Sequence, residues 1–162
     1  MLRRKSRLVA VALMVTPVGI AADLASASPT QPAVTCSNTA TPPTISGKPL
    51  NLTGIYSWTQ GTFYVRQAGT CVYLMGQSLR DANGAPGKGF TTIFVGGVSG
   101  VAPGIKLSGI WSDVPYGQVG GHGSIVWSVR EVANVPVLTA VTSSGGWGAS
   151  ELRRVKTVAV HG

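Results

Sequence analysis

Leu52-Thr53-Gly54-Ile55-Tyr56-Ser57 and Leu107-Ser108-Gly109-Ile110-Trp111-Ser112 are one short phrase written twice. Each copy is followed, after a turn, by a segment ending in Val65-Arg66-Gln67 or Val129-Arg130-Glu131, and the second copy has the longer turn. Side chains of a β-strand alternate between two faces, so Leu52, Gly54, Tyr56 and Trp58 share one face, and Leu107, Gly109 and Trp111 share one face of the matching strand. A glycine in mid-strand lets a bulky neighbour come close, and the aromatic two positions further on is expected to be that neighbour. The two faces are expected to point into one enclosed space.

Outward from the repeat the same grammar continues. From Leu50 no segment shows a helical apolar stripe, while short runs rich in Val, Ile, Thr, Tyr, Phe and Trp recur between Gly- and Pro-bearing turns. Candidate strands begin near residues 51, 61, 70, 90, 105, 122, 136 and 151. About eight short strands joined mostly by short links predict an all-β domain over residues 50–162, an antiparallel up-and-down meander. Closure into a small barrel, complete or nearly so, would remove the exposed edges of such a meander.

Three motifs add a resemblance. Tyr64, Arg66, Gln67 and Gly69 form Tyr-x-Arg-Gln-x-Gly; Gly109, Trp111, Asp113, Val114 and Pro115 form Gly-x-Trp-x-Asp-Val-Pro; Gly145, Gly146 and Gly148 form Gly-Gly-x-Gly. Over residues 52–154 the chain resembles a family of uncharacterised bacterial β-domains with these motifs, departing from it at Tyr116, where a basic residue is common. More loosely, Gly-x-aromatic on the first strand is similar to avidins and lipocalin-type calycin barrels. The resemblance implies a fold and brings no activity with it.

The N-terminus reads as an export signal. Arg3, Arg4, Lys5 and Arg7 precede an uncharged run from Leu8 to Ala22 and then Ala25-Ser26-Ala27, the charged, apolar and small-residue order of a signal peptide over residues 1–27. The run falls short of the roughly 20 residues a spanning helix needs. The expected product is a secreted protein with no integral membrane span after cleavage; an uncleaved anchor at the cell envelope is the alternative. Residues 28–49, with Pro29, Pro32, Pro42, Pro43 and Pro49 and few large apolar side chains, are expected to form a disordered Pro/Ser/Thr-rich leader. An even cysteine count in an exported chain predicts a Cys36–Cys71 disulfide.

Of the chain's +8 formal charge, cleavage leaves nine basic against four acidic side chains, a balance of +5. Apart from Arg153, Arg154 and Lys156 the charges are scattered, which does not make the basic stripe with aromatic interleaving that nucleic acid requires. His122 and His161 stand at no metal-ligand spacing, and no glycine-rich loop precedes a helix, so neither a metal, a phosphate loop nor another cofactor is expected. A nucleophile set drawn from Ser124 or Ser144, His122 and Asp113 lacks the strand-to-helix elbow of a catalytic serine, and no catalytic residue is assigned.

Tyr56, Trp58, Tyr64, Tyr73, Trp111, Trp127 and Trp147 are the natural lining of a packed core or a pocket. Asp113 lies two residues beyond Trp111 and is expected near the rim. Two roles are open to it: it bonds the N–H groups of its own turn or pairs with Arg66 or Arg130, or it anchors a ligand at the mouth. The leading expectation is a non-enzymatic module binding a small apolar or amphipathic ligand in the barrel interior or mouth, through Tyr56, Trp58, Tyr64, Arg66, Trp111, Asp113 and Trp127. A solid-cored protein-interaction domain, recognisable by a contiguous exposed apolar patch, and a cofactor-free small-barrel enzyme are the alternatives. Oligomeric state is left open by the sequence.

Overall fold

A computed structural model describes residues 33–59, 61–77, 91–114 and 121–156. The proposed signal peptide lies outside the described residues. A two-stranded ladder, β1 (Thr44–Ile45) and β2 (Lys48–Pro49), precedes β3 (Gly54–Trp58), β4 (Gly61–Ala68), β5 (Cys71–Gln77) and β6 (Thr91–Ser99). Then come β7 (Lys106–Val114), β8 (His122–Val132), β9 (Val135–Ser143) and β10 (Glu151–Lys156). Strands β3 to β10 form a closed barrel in which each pairs antiparallel with its neighbours in sequence, and β10 closes onto β3. The eight-stranded meander expected from the sequence is what forms.

Alternation decides the faces. Phe63 and Val65 of β4, Leu74 of β5, Phe94 of β6, Leu107 and Trp111 of β7, and Ile125, Trp127 and Val129 of β8 all point inward into one buried cluster. Leu52, Tyr56, Leu107 and Trp111 share that cluster, as the repeat predicts. The glycines serve a different aromatic from the expected one. Gly96 and Gly109 face each other across β6 and β7, and a Cβ on them would lie 2.2 and 2.6 Å from the ring of Phe94. The ring that fills the space over Gly109 thus comes from the adjacent strand rather than from Trp111.

One end of the barrel, the base, is plugged. Leu50 and Leu52, ahead of β3, and Ile105, ahead of β7, are buried in the core. Gln67 bolts this end: its Oε1 accepts from Leu52 N at 2.8 Å, its own N–H donates to Thr53 Oγ1 at 3.1 Å, and its Nε2 donates to Gly69 O at 2.9 Å.

The described part of the leader, residues 33–49, is attached to this wall rather than disordered. Cys36 and Cys71 form a disulfide with a Cα–Cα distance of 5.0 Å. Ser37 and Thr70 exchange backbone and side-chain hydrogen bonds. Thr35 O and Ser37 O run so close to Gly97 and Gly69 that a Cβ there would come within 2.4 and 2.3 Å of them. Ile45 packs on the core. Order comes here from backbone bonds, close approach at glycines and a crosslink, terms that a count of apolar side chains omits.

Candidate functional site

The opposite end, where β3, β7 and β9 finish, is the mouth, and aromatic rings fill it. Trp58 lies 6.3 Å from Phe63 between ring centroids, Phe63 lies 5.9 Å from Trp147, and Trp147 stands edge-on to Trp111 at 5.4 Å and to Trp127 at 5.3 Å. Trp127 meets Phe94 at 4.9 Å. This chain of rings runs from the mouth into the fully buried core, and only Trp58 and Trp147 on it are half-buried. T-shaped and tilted pairs at these separations are the favoured geometry for aromatic quadrupoles.

Trp147, expected among the lining aromatics but not among the ligand contacts, is the member that no strand carries. It belongs to the β9–β10 connection, residues 144–150, yet its ring sits inside the barrel among side chains from three strands. The connection is fixed at both ends. Ser144 N donates to Ser124 O and Trp111 Nε1 donates to Ser144 O, while Ala140 N donates to Ser150 O. Between these posts Trp147 Nε1 donates to Ala149 O at 2.8 Å. Ser124 and Ser144, weighed as nucleophiles, join strand to connection instead: Ser144 Oγ accepts from Ser124 N at 2.9 Å and lies 3.2 Å from Ser124 Oγ.

Asp113 is committed to its own turn. One carboxylate oxygen accepts from Thr92 Oγ1 and the other from Gly121 N at 3.1 Å, while Asp113 N donates to Gly121 O. Both oxygens therefore tie the two ends of the β7–β8 connection and its neighbour β6 together, the local role weighed for it. Its pairing with Arg66 or Arg130 does not occur, because both arginines lie on the outer face. Arg130 instead pairs with Glu151 at 3.0 Å, as Arg153 does at 3.4 Å.

The interior set is corrected accordingly. Tyr64 and Arg66 alternate with inward Phe63 and Val65 and so face solvent, as does Tyr73, whose hydroxyl donates to Asn38 Oδ1 at 3.2 Å. Tyr56 is interior and fully buried, but its hydroxyl is spent on Leu52 O at 3.0 Å, on the base side. Burial pushes that phenol well above its usual pKa, against the opposing pull of the Arg154 charge. Trp58, Trp111 and Trp127 belong to the mouth cluster, whereas Phe63, Phe94 and Trp147 were missing from the expected site. Phe63 and Phe94 were legible from strand parity alone.

Among the described residues one buried polar side-chain atom lacks a hydrogen-bond partner, Trp127 Nε1. No group of three or more potential metal ligands occurs among them, and no helix among them is long and apolar enough to cross a membrane. The fold and its mouth define a class: a closed antiparallel eight-stranded barrel, aromatic-filled and with an apolar interior. No protein family, curated protein or solved structure matches the chain.

Proposed function

We propose that the chain is an exported, non-enzymatic binding module that takes a small apolar or amphipathic ligand at the mouth of the barrel rather than deep within it. The deep interior is occupied by the protein's own side chains, with Tyr56, Phe63, Phe94 and Trp127 fully buried and rings laid directly on glycines. The observation that carries the reading is the pair of half-buried indoles through which solvent reaches the ring array, Trp58 at its end and Trp147 within it. Such a surface recognises flat apolar faces and leaves a polar group in water. Export is supported by the N-terminal pattern and by the disulfide, a bond that persists in oxidising compartments.

The test is a titration of the mature protein with planar amphipathic compounds, followed by tryptophan fluorescence. A saturable spectral shift lost in Trp58→Ala supports the reading; emission unchanged across a broad panel of such compounds overturns it.

A second reading rests on the outer wall. Ile55, Tyr64, Met75 and Ile93 are direct cross-strand neighbours on β3 to β6. The last three are 45%, 46% and 48% exposed. Beside them run Tyr73, Val95 and Ile110, again in register. An apolar row of this kind, bordered by Arg66 beside Tyr73, fits a protein partner, and a second copy of this chain, laid row against row, is the partner that keeps the charge at the border.

A further inference from the structure

Trp147 fills a position that no strand supplies, and the ring beside it, Trp127, is fully buried with an N–H that has no acceptor among the described residues. A buried donor without a partner is costly and uncommon. The other two indoles that contact Trp147's site differ in this respect or lie at its edge: Trp111 donates to Ser144 O, and Trp58 is half-buried at the rim. Between its two posts the connection that carries Trp147 is packed at Gly145, which runs against the His122 backbone, and at Ala149, which is buried, and it is open at Gly146 and Gly148. Gly145 and Gly146 have φ values of 73° and 87°, a Cβ on Gly146 would meet nothing within 4 Å, and one on Gly148 would meet only the Trp58 ring at 3.7 Å.

We infer that Trp147 is a built-in occupant of a ligand slot, displaced when a flat aromatic molecule carrying one hydrogen-bond acceptor enters. The slot is walled by Phe63, Trp111 and Trp127. A fused bicyclic ring replaces the indole surface for surface, so the apolar contacts are conserved in kind. An acceptor atom on the ligand, such as a heteroaromatic nitrogen or a carbonyl oxygen, gives the Trp127 N–H the partner that Trp147 does not. Discrimination between otherwise identical rings then rests on that single bond: the donor is already unpaired with Trp147 in place, so a ligand with an acceptor gains a hydrogen bond that one without it forgoes. Binding by displacement lowers apparent affinity by the fraction of molecules already open, and removal of the plug restores it.

This slot rests on the mouth being the binding end, and the experiment separates the two. Quinoline and naphthalene have the same shape and differ by one acceptor. Each is titrated into the mature wild-type protein, Trp147→Ala and Trp127→Phe, with indole N–H resonances followed by NMR. The slot predicts that quinoline moves the Trp127 N–H downfield in wild type while the Trp147 N–H becomes exposed to solvent exchange, and that naphthalene binds more weakly. Trp147→Ala is expected to bind both probes about tenfold or more tightly, and Trp127→Phe to lose the preference for quinoline. If Trp58 responds while the Trp127 and Trp147 resonances stay fixed, the mouth reading stands and the slot falls. If no indole responds to either probe, both fall. Should Trp147→Ala not fold, the wild-type resonances and Trp127→Phe decide by themselves.

Discussion

Tyr56 ties the repeat's chemistry to the stability of the fold. Its hydroxyl must stay protonated to donate to Leu52 O, and burial raises its pKa above the ordinary value of 10. A group whose folded pKa is raised contributes fully below the unfolded value and loses that contribution as pH climbs towards the folded one. Stability to urea is therefore expected to be insensitive to this group from neutral pH up to about 10 and to fall above it, where the unfolded chain ionises and the folded one does not. Tyr56→Phe is expected to cost about 1 kcal/mol at neutral pH through the lost hydrogen bond and to flatten the alkaline limb; an unchanged limb refutes the assignment. Asp113 offers a second check at this scale. In Asp113→Asn the oxygen can still accept from Gly121 N, but the amide nitrogen can only donate to Thr92 Oγ1, which reverses that bond and leaves the buried Thr92 hydroxyl proton without its carboxylate acceptor, so the change is expected to cost about 1–3 kcal/mol in stability. Ligand titrations at the mouth should be unaltered by it, whereas an anchor residue would change them.

The elements show why part of the design was readable in the sequence and part was not. Period-2 patterning around Leu52 and Leu107 gives strands, their inward faces and the meander, because each is a local property of the chain. It also had the information to place Tyr64 and Arg66 outside, since they share parity with each other and oppose Phe63 and Val65; grouping aromatics by type obscured it. Which ring covers which glycine depends on cross-strand register, and that is not local: Phe94 reaches over Gly109 only because β6 and β7 align Gly96 with Gly109. Trp147 could be grouped with the lining aromatics by type, but nothing local placed it, since a connection carries no periodicity to say which way a side chain turns. A Cβ on Gly109 would lie 2.2 Å from Val95 O and 2.5 Å from Gly96 Cα, both backbone atoms that cannot swing away. Gly109→Ala is therefore expected to cost about 1–3 kcal/mol or more by overpacking. Gly104→Ala, whose Cβ would meet nothing nearer than 3.4 Å, should be within about 1 kcal/mol of neutral or slightly stabilising, and thermal melts of the pair test the contrast. The leader follows the same logic: opening the 35-residue Cys36–Cys71 span with paired serines should cost about 3–4 kcal/mol on the chain-entropy account.

At the scale of the whole molecule, two kinds of outer wall coexist. Val137 faces outward between Arg130 and Arg153 in register, yet it is fully buried. Both of these cross-strand neighbours pair with Glu151, and long arginine stems commonly lie over apolar neighbours in this way. The wall of β3 to β6 has no such cover over Tyr64, Met75 and Ile93. With strands about 4.8 Å apart, the row from Ile55 to Ile93 spans about 14 Å, long enough to nucleate an interface without a charged residue inside it. On a chain that carries +5 once the proposed signal peptide is removed, a face-to-face dimer needs such a neutral strip, because two basic surfaces repel. An isologous pair would lay each row against its twin. Sedimentation of the mature protein is expected to show a concentration-dependent dimer, with Ile93→Lys shifting it to monomer by placing like charges in opposition. Because Ile93 is half exposed and points away from the core, its replacement should leave the thermal melt of the monomer unchanged, separating a broken contact from a broken fold. A wild-type chain that stays monomeric at every accessible concentration would remove the second copy as the partner of this wall, and would leave the mouth as the barrel's one proposed point of contact.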